Sequence, residues 1–244
     1  YFRLGNVYMK QKNYKSAVEA YSDSIFEHKT DNCDRALRKA KALLEKQEKE
    51  AYLDEELSEK AKKAGNELYK ASKYREALDQ YSEAIKRNPK NIAAYSNRAN
   101  TYSKLMSWQQ VLSDCNKAIE LDPSFIKAYI RKGKTQHFLR NYHKAISTYE
   151  EGLKIDPSNT ELLNAKRETE NKVAMENMQG NVDPQRRAQA MQDPEIQSIL
   201  QDPQMMSILQ NMQNDPAGAQ RAMQDPTIRT KINKLVQAGV LQVK

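Results

Sequence analysis

The chain has 244 residues, of which 30% are charged, and only seven Gly and eight Pro. That length accommodates about two domains, and the composition points to a soluble, mostly helical protein. No apolar run approaches the ~20 residues that a membrane-spanning helix needs, which excludes a membrane protein of that kind. The net charge is +8, and residues 58–159 carry all of it, with 19 Lys and Arg against 11 Asp and Glu. Residues 1–57 balance 11 against 11, so the excess predicts an acidic partner for the middle of the chain rather than general adhesiveness. The start, Tyr1-Phe2-Arg3-Leu4-Gly5, has no Met and no signal-peptide design and reads as a cut inside a helix. Cys33 and Cys115 form no motif, as expected of reduced thiols in a cytoplasmic protein, with the nucleus as a second compartment.

A fixed step of 34 residues organises the middle of the chain. Pro89, Pro123 and Pro157 keep it, as do Gly65, Ala99 and Gly133; Tyr74, Trp108 and Tyr142; Ala77, Val111 and Ala145; and Ala84, Ala118 and Gly152. A small residue, an aromatic, an alanine and a proline at this period are the signature of tetratricopeptide (TPR) repeats, pairs of antiparallel helices that stack into a superhelix. In chain order, 1–29 read as the last, partial repeat of an upstream array. Tyr1-x-Arg3-x-Gly5 matches Tyr129-x-Arg131-x-Gly133, and Tyr14, Ala17 and Tyr21 match Tyr74, Ala77 and Tyr81. Residues 30–57 read as a linker and capping segment, with one helix predicted over 34–57. Residues 58–178 hold three complete repeats, each ended by a proline that cannot continue a helix. A closing helix follows from 160, with Thr160 as its expected cap.

At 179–244 the composition changes. No aromatic follows Tyr149, seven of the nine Met lie at or after Met175, and Asp-Pro occurs five times. Asp favours the N-cap and Pro the first helical position, so each pair predicts a helix start. The result is a small domain of five helices, near 185–191, 194–201, 203–213, 216–223 and 226–238. The predicted fold class is all-α: TPR helix-turn-helix superhelical repeats plus a small Asp-Pro-rich (DP) five-helix domain.

Five residues of the repeats can converge on one spot. Lys62 and Asn66 are one turn apart on the first helix of the first repeat, Asn97 sits on the next such helix, and Lys127 and Arg131 are one turn apart on the third. Together they offer only charge and hydrogen-bond donors suited to carboxylates, and a peptide ending in Asp carries two of those. This pattern resembles the two-carboxylate clamp of chaperone-binding TPR domains. That resemblance implies that the occupant is the C-terminal Glu-Glu-Val-Asp of the 70-kDa heat-shock chaperone, with the 90-kDa one as a second partner. Arg3 falls where the last clamp arginine of the upstream array would be.

The whole order, the end of one TPR array, a linker helix, a second array and a DP domain, resembles the C-terminal part of the Hop family of stress-inducible co-chaperones. It implies an adaptor whose DP domain assists client transfer. In the DP domain, Ile199, Leu200, Leu209, Met212, Ile232 and Leu235 recur at helical spacing. They are either its core or an apolar groove for hydrophobic client segments. The chain is read as a monomer.

Two other classes fit less well. No phosphate-binding glycine loop, zinc-ligand spacing or nucleophile motif is present, so no enzyme, metal or cofactor is expected. The basic repeats could serve an RNA-binding protein, but their charge is interleaved with acids and no aromatic-plus-basic motif accompanies it. Another TPR chaperone adaptor with a Met-rich client-binding tail is the remaining alternative, which the remnant repeat at 1–29 disfavours.

Overall fold

The computed structural model describes residues 1–28, 30–179, 184–211 and 220–241. The regular elements among them are helices: α1 (Phe2–Lys10), α2 (Tyr14–Glu27), α3 (Asp31–Tyr52), α4 (Glu55–Lys70), α5 (Tyr74–Arg87), α6 (Ile92–Lys104), α7 (Trp108–Leu121), α8 (Ile126–Phe138), α9 (Tyr142–Ile155), α10 (Thr160–Met178), α11 (Pro184–Met191), α12 (Pro194–Gln201), α13 (Pro203–Asn211) and α14 (Pro226–Gln237). They form two compact units. One comprises Tyr1–Ala64 with Ser82–Asn91, the other Gly65–Tyr81 with the chain from Ile92 onward.

In the first unit α2 packs between α1 and α3. Ala17, Tyr21 and Ala40 are buried at the centre, with Phe2 and Leu37 against them. Thr30 caps α3 by accepting from the Cys33 N–H at 3.3 Å. The sequence predicts one helix over 34–57, but α3 ends at Tyr52. The physical reason is Asp54, whose Oδ1 accepts from Leu57 N–H at 2.8 Å and so starts α4. Tyr52 is fixed at that break. Its hydroxyl donates to Glu83 Oε1 at 2.6 Å, and the Arg87 guanidinium lies 3.7 Å from its ring centroid. Arg87 Nε donates to Glu83 at 2.9 Å, and Ser58 Oγ donates to the Ala84 carbonyl at 2.7 Å in a buried setting.

The second unit shows why the 34-residue step selects its residues. A Cβ added to Gly65 would lie 2.7 Å from the Tyr81 ring, and one on Gly133 would lie 2.2 Å from the Tyr149 ring. The middle repeat carries Ala99, and there the facing position, 16 residues on, is Cys115, which packs with Ala99 and Val111. The small residue is thus set by the bulk of its partner. Each turn inside a repeat places one residue in the left-handed region, namely Ser72, Met106 and Arg140, and closes with a backbone bond such as Ser107 N–H to Tyr102 O at 3.0 Å. α10 covers the last repeat through buried Leu162 and Ala165, which meet Tyr129, Ala145 and Tyr149. Its cap is Asn159 rather than the expected Thr160, with Oδ1 accepting from Leu162 N–H at 3.1 Å.

The Asp-Pro pairs start helices as the sequence predicts wherever the structure describes them. Asp193 accepts from Glu195 N–H at 2.8 Å, Asp202 from Gln204 N–H at 3.0 Å, and Asp225 from Thr227 N–H at 2.7 Å. Asp183, Asp215 and the first half of the expected helix 216–223 lie outside the described residues. α11 to α14 enclose a core of Ile196, Ile199, Met205, Ile228, Ile232 and Leu235. This small core also leans on the repeats. Arg186 Nη1 donates to Glu176 Oε2 at 2.7 Å, its guanidinium lies 4.7 Å from the Tyr142 ring centroid, and Nη2 donates to the Gln237 carbonyl near the end of α14. Asp193 pairs with Lys144 at 2.5 Å and with His143 at 3.4 Å.

Candidate functional site

The stacked first helices of the repeats bring most of the expected cluster together. On α4, Asn66 Oδ1 accepts twice, from the Tyr81 hydroxyl at 2.8 Å and from Asn97 Nδ2 on α6 at 2.9 Å. Its own amide nitrogen makes no hydrogen bond among the described residues. On α8, Arg131 Nη1 donates to the Ser96 carbonyl at 2.9 Å and to Ser96 Oγ at 2.8 Å. Lys127 lies one turn before it and is exposed. Lys62 lies one turn before Asn66 on α4 and pairs with Glu59 at 2.6 Å. Arg3 on α1 is exposed, in the first unit.

The electrostatics single out Arg131. Burial pushes its pKa down, with the nearby charges acting in the opposite direction. Yet its hydrogen-bond partners are two neutral oxygens of Ser96, and no carboxylate among the described residues pairs with it. Arg98 in the same stack is the contrast: Nε and Nη2 donate to the two oxygens of buried Asp114 at 2.9 and 2.7 Å. A shielded guanidinium is expensive unless an anion compensates it. Arg98 has its anion in Asp114, whereas Arg131 has no carboxylate partner among the described residues.

Lys127 and Arg131 line a groove of about 620 Å³ that also includes Asn100, Trp108, Ile130, Lys134, Phe138 and Glu161. Trp108 and Phe138 stack with centroids 4.4 Å apart, and Phe138 is 61% exposed. Lys134 bridges to Glu161 at 2.6 Å. Sequence reasoning missed Trp108, Phe138 and Ser96. Trp108 reads there as one more periodic aromatic, and only its size against Tyr74 and Tyr142 could have flagged it.

The DP stripe divides. Ile199, Ile232 and Leu235 are core side chains, at most 6% exposed, and of the three only Ile199 also lines surface cavities among the described residues, beside Ser198 and Lys231. The physical reason is that four short helices have few other apolar side chains to close on. Leu200 and Leu209 pack half-buried at its edge, and Met212 lies outside the described residues. Among the described residues, no group of His, Cys, Asp and Glu could hold a metal ion, and no helix is long and apolar enough to cross a membrane.

The fold and this site define a TPR protein with an appended Asp-Pro helical domain. Models of the TPR repeat match residues 1–25, 65–105, 92–125 and 126–159, and the model described as the STI1/HOP DP domain matches 183–237. Hsp70-Hsp90 organizing protein 1 of Arabidopsis thaliana is 42% identical over 96% of this chain, and stress-induced-phosphoprotein 1 of Caenorhabditis elegans is 37% identical over 99% of it. The chain spans 41% of the former and 74% of the latter. Among solved structures, the TPR2AB domain of yeast Sti1 in complex with pHSP90 matches with a TM-score of 0.66 and 37% identity, over 69% of this chain and 68% of that one. The chain belongs to the STI1/HOP family of Hsp70-Hsp90 organizing proteins.

Proposed function

We propose that this chain is a co-chaperone adaptor that works by binding rather than catalysis. Lys62, Asn66, Asn97, Lys127 and Arg131 form a clamp for the two terminal carboxylates of an acidic tail, that of the 70-kDa heat-shock chaperone first and the 90-kDa one second. The observation that carries this reading is Arg131, a half-buried cation whose guanidinium, among the described residues, donates only to Ser96. The relatives' names, which join Hsp70 and Hsp90, support the choice of partners. In this reading 1–29 end an upstream array, with Arg3 a remnant of its clamp. Residues 30–57 link the arrays, 58–178 hold the working clamp and 179–244 are the DP domain. The DP domain assists client transfer at the edge where Leu200 and Leu209 are half-buried, while Ile199, Ile232 and Leu235 hold it together. The compartment that fits is the cytoplasm.

The test is calorimetric titration of the chain with the two chaperones' tail peptides side by side, with a single-stranded RNA as a third arm. Saturable binding of a tail, weakened by salt, is expected, with no comparable RNA binding. RNA binding as tight as that of either tail would replace this reading with nucleic-acid recognition.

A further inference from the structure

We propose that Tyr81 is a positioning residue for the clamp, holding the Asn66 carboxamide so that its N–H bonds, and not its oxygen, meet the incoming carboxylate. The inference rests on the clamp reading above and assigns a role to a residue outside the clamp itself.

A carboxamide is nearly symmetric in shape and opposite in character at its two ends. Turned one way, Asn66 donates to a carboxylate; turned the other, it presents an acceptor to an acceptor. Asn97 alone cannot fix the choice, because its own carboxamide can turn with that of Asn66 and keep a hydrogen bond between them. The Tyr81 hydroxyl breaks this symmetry. Tyr81 is 2% exposed, and among the described residues its hydroxyl donates to Asn66 Oδ1 alone, at 2.8 Å. Burial pushes the phenol up to about 12, so it keeps its proton at ordinary pH. If Asn66 turned over, that buried proton would lose its acceptor, and an unsatisfied buried donor is strongly disfavoured. The Tyr81 ring is itself fixed by the close approach of Gly65, which leaves no room for a Cβ. Glycine, tyrosine and asparagine thus act as one device. The first unit repeats it: Gly5 lies against Tyr21, whose hydroxyl donates to Asn6 Oδ1 at 2.7 Å, and Asn6 follows Arg3 by one turn on α1.

The test is a double-mutant cycle on the full chain with Tyr81→Phe and Asn66→Ala, read by calorimetry with a peptide ending in Glu-Glu-Val-Asp. Phe keeps the ring and removes only the hydroxyl, so Asn66 gains both orientations. Tyr81→Phe alone should weaken binding about twofold, because only about half of the Asn66 side chains would then present N–H to the carboxylate. In the Asn66→Ala background it should have no further effect. A merely structural tyrosine would give the same fold-loss in both backgrounds, and that result overturns the proposal. So does unchanged affinity in Tyr81→Phe while Lys127→Ala binds more weakly, an outcome that leaves the clamp standing. Unchanged affinity in Lys127→Ala overturns the clamp and this inference with it. As a check independent of any variant, the Asn66 side-chain amide protons of the wild type should shift when the acidic peptide is added. Amide protons that ignore the peptide contradict the proposed orientation.

Discussion

Replacing Arg131 by Met separates binding from folding. One guanidinium nitrogen is spent on Ser96, at 2.9 and 2.8 Å, and the residue lines the groove beside Lys127. Charge-assisted hydrogen bonds of this type contribute about 1–3 kcal/mol, so Arg131→Met should weaken an acidic tail roughly fivefold to 150-fold. Stability should hardly fall, because the substitution removes a shielded charge that has no anion partner among the described residues. Arg98→Met is the matched control. It leaves the Asp114 carboxylate, 4% exposed, without its bidentate partner, and breaking such a pair costs about 3–5 kcal/mol. Calorimetry and urea denaturation on the two variants read both quantities. The reasoning is refuted if Arg131→Met binds the peptide as the wild type does, or if it destabilises the chain as much as Arg98→Met.

Four further outcomes are expected. Cys115→Tyr should overpack the middle repeat by about 1–3 kcal/mol, and Ala99→Gly in the same chain should recover most of it, which denaturation of the pair would show. Burial would raise the Asp193 pKa, but the hydrogen bonds from Lys144, Glu195 N–H and His143 outweigh it and lower it to about 2. Its folded pKa lies below the unfolded ~3.8, so its contribution, at most about 2 kcal/mol, is complete above that value and lost as pH falls towards 2; the stability gap between wild type and Asp193→Asn should close over that window. Lys46→Pro should break α3 at about 3 kcal/mol and broaden the distance distribution between probes on Ser22 and Lys86, both in the first unit; an unchanged distribution would count against a stiff α3. Leu209→Asp should abolish capture of a hydrophobic peptide by the DP domain and leave the clamp's affinity intact, provided the circular dichroism of the chain is preserved.

The repeats were legible because their period is enforced by contacts between fixed positions, such as Gly133 under Tyr149. The same sequence held a finer clue, Ala99 paired with Cys115 where the neighbours pair glycine with tyrosine, which only the structure makes meaningful. The DP helix starts were legible for a local reason, since each cap binds a backbone N–H two residues on. The end of α3 was not, because the apolar spacing runs through Leu53 and Leu57 and only the Asp54 side chain decides the break. Helical spacing likewise cannot tell a core stripe from a groove, and Ile232 and Leu235 proved to be core. The lodging of Arg186 against Tyr142 and Glu176 joins residues ten and more apart and has no local signature. Of the proposed clamp, residue types and spacing were readable, whereas the contacts of Tyr81 with Asn66 and of Ser96 with Arg131 required the fold.

The central claim is that terminal carboxylates, and not general acidity, are what the groove recognises. It is tested most directly by calorimetry of the chain with a peptide ending in Glu-Glu-Val-Asp and with the same peptide carrying both an amidated C-terminus and Asn in place of the last Asp. The account predicts that the doubly neutralised peptide loses at least tenfold in affinity at low salt, with the gap narrowing as salt rises. Equal affinity for the two peptides would contradict it.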